Sequence, residues 1–361
     1  MPDMPVFLPP KATLARAGNS RVSAVINPAA ARLPREARSM DTPIGSPPAA
    51  GPFAALSAVS GESSFTLAAD TRAMVRLTIL TGGLTGILIA ARRLVFPLSD
   101  ICEPLAICAV LVALAAFYQV VRPAPNFVLV LKSLAVLVTF SAAYSMFMYA
   151  LATTGRPMAD AMLARADGAM GLSAPGVVRW VNEHSSLARI LWLAYFSLIP
   201  QTILAIVWLG LTNNRYNLDK FLVRFMLASL ITAVGFYLWP AKGTYGPVYN
   251  LPVPAYCQQC VEHFDALRSG ARTLVTWRET EGLITFPSFH TIWAVLLTAA
   301  FYGCRRLFWP IALLNVIVIF STVTTGMHYF LDVIVGVLIS AVVIRSTQDR
   351  SAAKGQADAA A

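Results

Sequence analysis

The chain has 361 residues, of which 57% are hydrophobic and 13% charged, with a mean hydropathy of +0.63. Soluble domains carry roughly a quarter charged residues, so a cytosolic enzyme, a disordered scaffold and a small disulfide-stapled module are excluded. The formal charge of +10 belongs, in a membrane protein, to the loops on one side of the bilayer, and no nucleic-acid partner is expected.

Residues 1 to about 70 stand apart. Ten of the 23 prolines fall in the first 52 residues, among Ala, Ser and Arg, and a segment with so little apolar surface cannot offset its ordering entropy. It is expected to be disordered. Its Arg-rich, acid-poor composition also suits an organelle transit peptide or a misassigned start, and it lacks the apolar stretch of a secretory signal. From Ala73 onward apolar runs of bilayer-crossing length recur. They predict an all-α polytopic bundle of about eight spans, near 74–91, 104–121, 127–151, 187–211, 222–240, 288–303, 307–325 and 327–345. The expected organisation is N-terminal spans over 71–154, a catalytic core over 155–347 and a disordered tail over 348–361. Residues 156–186 are amphipathic and read as an interfacial segment or a cap on the bundle. The loop 241–287 is too long to be a mere connector.

An even number of spans puts both termini on one side, which collects Arg72, Arg76, Arg122, Lys132, Arg215, Lys220, Arg224, Arg305, Arg306 and Arg345 with few acids. The other side balances Arg92, Arg93, Arg156 and Arg165 against Asp100, Glu103, Asp160 and Asp167. The positive-inside rule makes the termini cytoplasmic and the 241–287 loop external, in a plasma (bacterial inner) membrane.

Two stretches carry polar groups that a lipid-facing helix would not tolerate. In Phe286-Pro287-Ser288-Phe289-His290-Thr291, Pro287 suits a helix start and Ser288 a cap, and the free N–H groups of that turn form an anion site. In Ser321-Thr322-Val323-Thr324-Thr325-Gly326-Met327-His328-Tyr329-Phe330-Leu331-Asp332, His328 and Asp332 are four apart, which on one helix puts them on one face. A lone His here would read as a satisfied core residue. Two histidines opening neighbouring helices at membrane depth read as functional. Ser288 alone reads equally as a plain cap. A phosphate ester repels nucleophiles until cations and N–H donors surround it. A neutral imidazole held by a carboxylate is a competent nucleophile, and a second imidazole can protonate the leaving oxygen.

PSFH followed by GMHYFLD resembles the second and third signature motifs of the type 2 phosphatidic acid phosphatase superfamily. Leu267-Arg268-Ser269-Gly270 and Glu281-Gly282-Leu283-Ile284-Thr285-Phe286 resemble its inositolphosphoryl-ceramide synthase or inositolphosphotransferase branch. The resemblance covers roughly residues 155–345. It implies a metal-independent phosphohistidine mechanism with no cofactor, in which His328 is the nucleophile, Asp332 its activator, His290 the acid and Ser288 a phosphate-binding hydroxyl. Thr322 stands where the superfamily usually has an arginine, and the first motif is not recognisable. Lys242 and Arg268 are the candidate replacement cations, although Lys242 reads equally as a solvated loop charge. Relatives in the inositol-transferase branch also lack that arginine.

The expected partner is a lipid phosphate within the surrounding membrane lipids. The expected activity is a phosphatase or phosphotransferase on the non-cytoplasmic face. The alternatives are a headgroup transferase between lipids, a phosphatase for an isoprenoid carrier diphosphate, or a lipid-binding or transport protein without turnover. Cys257 and Cys260 read as a local disulfide or two free thiols before a zinc half-site. Tyr237, Trp239, Tyr245 and Trp277 read as interfacial aromatics.

Overall fold

The computed structural model describes residues 52–249, 251–253, 255–275 and 285–348, with side chains from Ala69 except those of 255–257. Trp277, residues 281–284, the Cys257 side chain, and the ends read as disordered over 1–51 and 349–361 lie outside the described residues.

Among the described residues the secondary structure is helical apart from one isolated bridge between Val95 and Leu274. The chain runs α1 (Pro52–Arg92), α2 (Leu98–Val120), α3 (Pro125–Ala152), α4 (Asp160–Ala169), α5 (Ala174–Glu183) and α6 (Ser185–Phe196). It continues through α7 (Leu198–Leu211), α8 (Arg215–Leu238), α9 (Ala255–Ser269), α10 (Phe289–Ala300), α11 (Arg305–Thr324) and α12 (Phe330–Ser346). This is the all-α polytopic membrane bundle that the hydropathy predicts. Large apolar side chains such as Ile79, Leu105, Val120, Val316 and Val342 are exposed on its outside, as a lipid-facing surface requires.

The span count differs from the expected eight. All eight apolar segments fall on helices, but five are long and apolar enough to cross a bilayer: Ala69–Arg92 of α1, with α2, α3, α8 and α11. The segment 187–211 is two helices, α6 and α7, bent by 40° at Ser197, and makes a sixth when counted as one span. Pro200 explains the bend, because it has no N–H to offer the carbonyl four residues earlier and its ring crowds that carbonyl. α10 and α12 have 12 and 17 residues, about 18 and 26 Å at 1.5 Å per residue, short of a hydrocarbon core of about 30 Å. The first helix begins at Pro52, inside the segment read as disordered. The 156–186 stretch resolves into α4 and α5, and the long 241–287 loop contains α9.

Many polar groups within the bundle are satisfied internally. Hydroxyls of Thr81, Thr85, Thr202, Ser229 and Ser340 bond the carbonyl four residues back, the usual solution where water is absent. Between helices, Tyr144 donates to the Ser229 carbonyl (2.9 Å) and Trp293 to the Thr202 hydroxyl (2.8 Å). An aromatic cluster of Phe140, Tyr144, Phe225, Phe289 and Trp293 locks α3, α8 and α10 together. Gly235 of α8 lets Pro287 approach, since a β-carbon there would lie 2.4 Å from the proline ring. That contact fixes the start of α10 just inside the C-terminal end of α8.

Candidate active site

α10 and α12 both begin at one point in the bundle. Ser288 caps α10, its Oγ accepting from the Thr291 N–H (3.3 Å) and the Thr291 hydroxyl (3.0 Å). A hydroxyl has two acceptor positions and one proton, so the Ser288 proton is left to donate to a ligand. The Ser288 N–H donates to the Asp332 carbonyl (3.2 Å), and Gly336 lets the next turn of α12 pass beside the Ser288 carbonyl. Ser288, His328 and Asp332 are fully buried.

His328 is not on the last helix, as the four-residue spacing predicted. Gly326, at φ +80°, ends the α11 turn, His328 lies in no helix, and Tyr329 is extended before α12 starts at Phe330. Asp332 is instead in the first turn of α12, accepting from the Tyr329 N–H (2.8 Å), a helix-capping bond. Its Oδ2 lies 3.5 Å from His328 Nδ1, close enough for charge interaction but long for a hydrogen bond. Nδ1 donates to the Thr285 carbonyl at 2.7 Å. A nitrogen held against a carbonyl carries the proton, so the neutral ring has its lone pair on Nε2. Nε2 is buried and has no hydrogen-bond partner among the described residues, and neither does Asp332 Oδ1.

His290, in the first turn of α10, lies beside His328. The two imidazole rings are 6.0 Å apart at 65°. His290 Nδ1 is 3.1 Å from the Tyr195 hydroxyl and its ring stacks on Tyr195 at 4.1 Å. Tyr195 is two residues before the break at Ser197. The break thus turns an otherwise lipid-type helix so that a polar group reaches the site.

A second layer holds the His328 turn from outside. Gly243, at φ +71°, lies against the backbone of Gly326 and Met327, where a β-carbon would come within 2.5 Å. The Thr244 N–H donates to the Gly326 carbonyl (2.9 Å), and the Tyr245 hydroxyl to the Thr325 carbonyl (2.7 Å). Buried Asp160 accepts from the Tyr329 hydroxyl (3.0 Å) and the Lys242 N–H (3.0 Å), while burial raises its carboxyl above the usual range. Two turns further along the same face of α4, Asp167 accepts from the Phe330 N–H (2.9 Å) and the Leu331 N–H (3.0 Å). Both carboxylate oxygens of Asp167 thus meet free N–H groups of the first turn of α12, where negative charge is favoured.

The candidate cations sit in this layer with partners of their own. The Lys242 ammonium pairs with Asp265 and lies 6.0 Å from the Phe264 ring. The Arg268 guanidinium covers the same ring at 5.4 Å and donates to the Arg156 carbonyl. Burial lowers the pKa of Arg268, against the pull of Asp265 and Asp160. The Lys242 N–H thus reaches the His328 turn only by way of Asp160, and its charge is committed to α9. Thr322 is buried, its hydroxyl returned to the Ile319 carbonyl.

The structure brings together His290, His328, Asp332 and Ser288, which the sequence singled out, and adds Tyr195, Thr285, Asp160 and Asp167 around them, which it did not. For Asp160 and Asp167 a signal existed. With Leu163 they occupy one face of a single amphipathic helix, and all three are buried. Among the described residues no group of three or more His, Cys, Asp or Glu side chains is placed to hold a metal.

A family model described as the PAP2 superfamily matches residues 161–345, from α4 to the end of the bundle. No curated protein and no solved structure matches the chain.

Proposed function

The chain belongs to the PAP2 superfamily, and on that premise we propose that it is a lipid phosphate phosphatase or phosphotransferase working through a phosphohistidine on His328. One observation carries the reading. His328 is fixed through Nδ1 to the Thr285 carbonyl, and Nε2 is buried without a partner among the described residues, with the ring of a second imidazole 6.0 Å from its own. Nε2 attacks phosphorus and the P–O bond to the lipid breaks. Protonated His290 gives its proton to the leaving oxygen. In the second half His290 takes a proton from water or an alcohol as that oxygen attacks phosphorus and the N–P bond breaks. The Ser288 hydroxyl and the N–H groups at the start of α10 stabilise the charge on the phosphoryl oxygens. Asp332 stabilises the imidazole as it becomes cationic.

The lipid is reached laterally, its chains remaining among the exposed apolar side chains. By the distribution of basic residues the site faces the non-cytoplasmic side. Capture of the phosphohistidine by an alcohol makes the protein a headgroup transferase of the inositolphosphotransferase kind. Thr322, buried in place of an arginine, supports this second reading.

The test is phosphate release from phosphatidate, lysophosphatidate, phosphatidylglycerophosphate and an isoprenoid diphosphate, with EDTA present and His328→Ala as control. Release that survives EDTA and is lost in the variant is expected. Headgroup movement to an added alcohol without phosphate release selects the transferase. Neither activity in a folded protein overturns the catalytic reading.

A further inference from the structure

α8 has 24 residues, about 36 Å at 1.5 Å per residue. The histidine site is at its C-terminal end. At the N-terminal end lies a separate cavity of about 350 Å³ between the α2–α3 hairpin and the α7–α8 turn, within the usual size range of small-ligand sites. Lys132 and Arg215 are its two charged lining residues, joined by Tyr118, Gln119 and Asn213, and no carboxylate lines it.

Lys132 is seven residues into α3, about 10 Å along a bilayer-crossing helix. An ammonium at that depth is costly unless it reaches polar surroundings or an anion. Here it points into the cavity and donates to Gln119 Oε1 at 3.1 Å. Arg215 is half-exposed and pairs with Asp219, one turn on in α8, at 3.7 Å. The rim is apolar: Val120, Val121 and Phe127 are exposed, and Phe127 stacks on Tyr118 at 5.5 Å. The cavity thus offers two cations and amide donors at headgroup depth, with greasy side chains where acyl chains run.

We propose that the cavity lined by Lys132 and Arg215 binds the headgroup of an anionic phospholipid, at the membrane face opposite the histidine site. The phosphodiester sits between the two cations, Gln119 and Asn213 take polar headgroup oxygens, and the chains descend past Val120 and Phe127. The lipid fastens the α2–α3 hairpin to the catalytic bundle. The assignment is independent of the reaction at His328.

The full chain in neutral detergent is titrated with phosphatidylglycerol or phosphatidylcholine of the same acyl chains, and bound lipid is read by native mass spectrometry. Phosphatidylglycerol is expected to bind about 30-fold tighter, the effect of two basic side chains facing an anionic lipid. His328→Ala and Lys132→Arg are expected to keep that preference, and the pair Lys132→Gln with Arg215→Gln to abolish it. Because the paired change could unfold the chain, Lys132→Gln alone is expected to remove about half of the preference on a logarithmic scale. Equal binding of the two lipids overturns the proposal, as does a preference that survives the paired change in folded protein. A preference lost in His328→Ala places the lipid in the catalytic site and also overturns it. Inorganic phosphate binding as tightly as the lipid identifies a free-anion site and overturns the lipid assignment.

Discussion

Thr285 and His328 are joined by a 2.7 Å hydrogen bond from the imidazole Nδ1 to a backbone carbonyl, while the carboxylate of Asp332 stands at 3.5 Å. The tautomer of His328 is therefore set by the main chain. The Asp contributes charge and the geometry of the turn, through its bond to the Tyr329 N–H.

This division of labour predicts the size of the Asp332→Asn effect. Where a carboxylate alone fixes a catalytic imidazole, its amide costs about 10⁴-fold in kcat. Here the amide oxygen can still accept from Tyr329, and Thr285 still orients the ring. Only the charge that stabilises the imidazolium is lost. The expected loss in kcat is roughly 10–100-fold with little change in KM, against loss of all detectable turnover in His328→Ala. Steady-state kinetics on both variants checks this. Equal losses would make the carboxylate, and not Thr285, the residue that holds the ring.

Tyr195 supplies a second prediction. Tyr195→Phe removes the 3.1 Å hydrogen bond to His290 Nδ1 and keeps the ring stack at 4.1 Å. The His290 ring then remains in place but loses the partner that fixes its proton at the working nitrogen. The expected result is about a tenfold fall in kcat, the scale of one neutral hydrogen bond. The limb of the pH–rate profile that reports the acid is expected to move, while melting temperature stays nearly constant. An unchanged profile with a lowered melting temperature would reduce Tyr195 to a packing residue.

The difference between what the sequence disclosed and what it did not is physical. His290, His328 and Asp332 were legible because ionisable groups within apolar runs have few other reasons to be there. Thr285 was not, since a backbone carbonyl carries no residue signature and only the approach of two distant segments gives it a role. Tyr195 was hidden in the apolar segment 187–211, where an aromatic ordinarily faces lipid. The bend that turns it inward depends on Pro200, which hydropathy averaging passes over. Asp160 and Asp167 were read as counter-charges to nearby arginines, because amphipathic periodicity tells which residues share a face but not that the face is covered. Fewer helices than apolar runs reach bilayer length for a related reason, since α10 and α12 are apolar along their length but start at the site and are short.

Gly243→Ala tests the second layer. At φ +71° an alanine is strained, and its β-carbon would lie 2.5 Å from the Gly326 carbonyl oxygen and 2.7 Å from the Met327 backbone. Neither neighbour is a flexible side chain that could move aside. The His328 turn must shift, and a displacement of about 1 Å at a reacting group is enough for about a 100-fold loss. The fold itself should lose only about 1–3 kcal/mol. The expected variant is folded, by size-exclusion profile and circular dichroism, and nearly inactive. Gly270, with a similar φ of +74° but open space around it, is the control. Gly270→Ala is expected to retain activity.

Asp167 links pH to the stability of the turn that carries His328. Both carboxylate oxygens accept from α12, at the Phe330 and Leu331 N–H groups, and burial nonetheless outweighs these bonds and raises its pKa above the usual carboxylate value. A carboxyl with a raised folded-state pKa contributes stability that is complete below its unfolded value, about 3.9, and is lost as pH rises through the folded value. Asp167→Asn replaces one acceptor with an N–H that faces another N–H, so it is expected to be less stable than wild type at every pH. It does not titrate, however. The advantage of wild type should therefore be largest below about pH 4 and narrow as pH rises above it, with a helix-capping loss of about 1–2 kcal/mol at its largest. Thermal melts of the two proteins across pH 3.5–7 (roughly the window set by these carboxyl values) read the difference directly. A gap that widens with pH would mean that the bonds from Phe330 and Leu331 outweigh the cost of burying the charge.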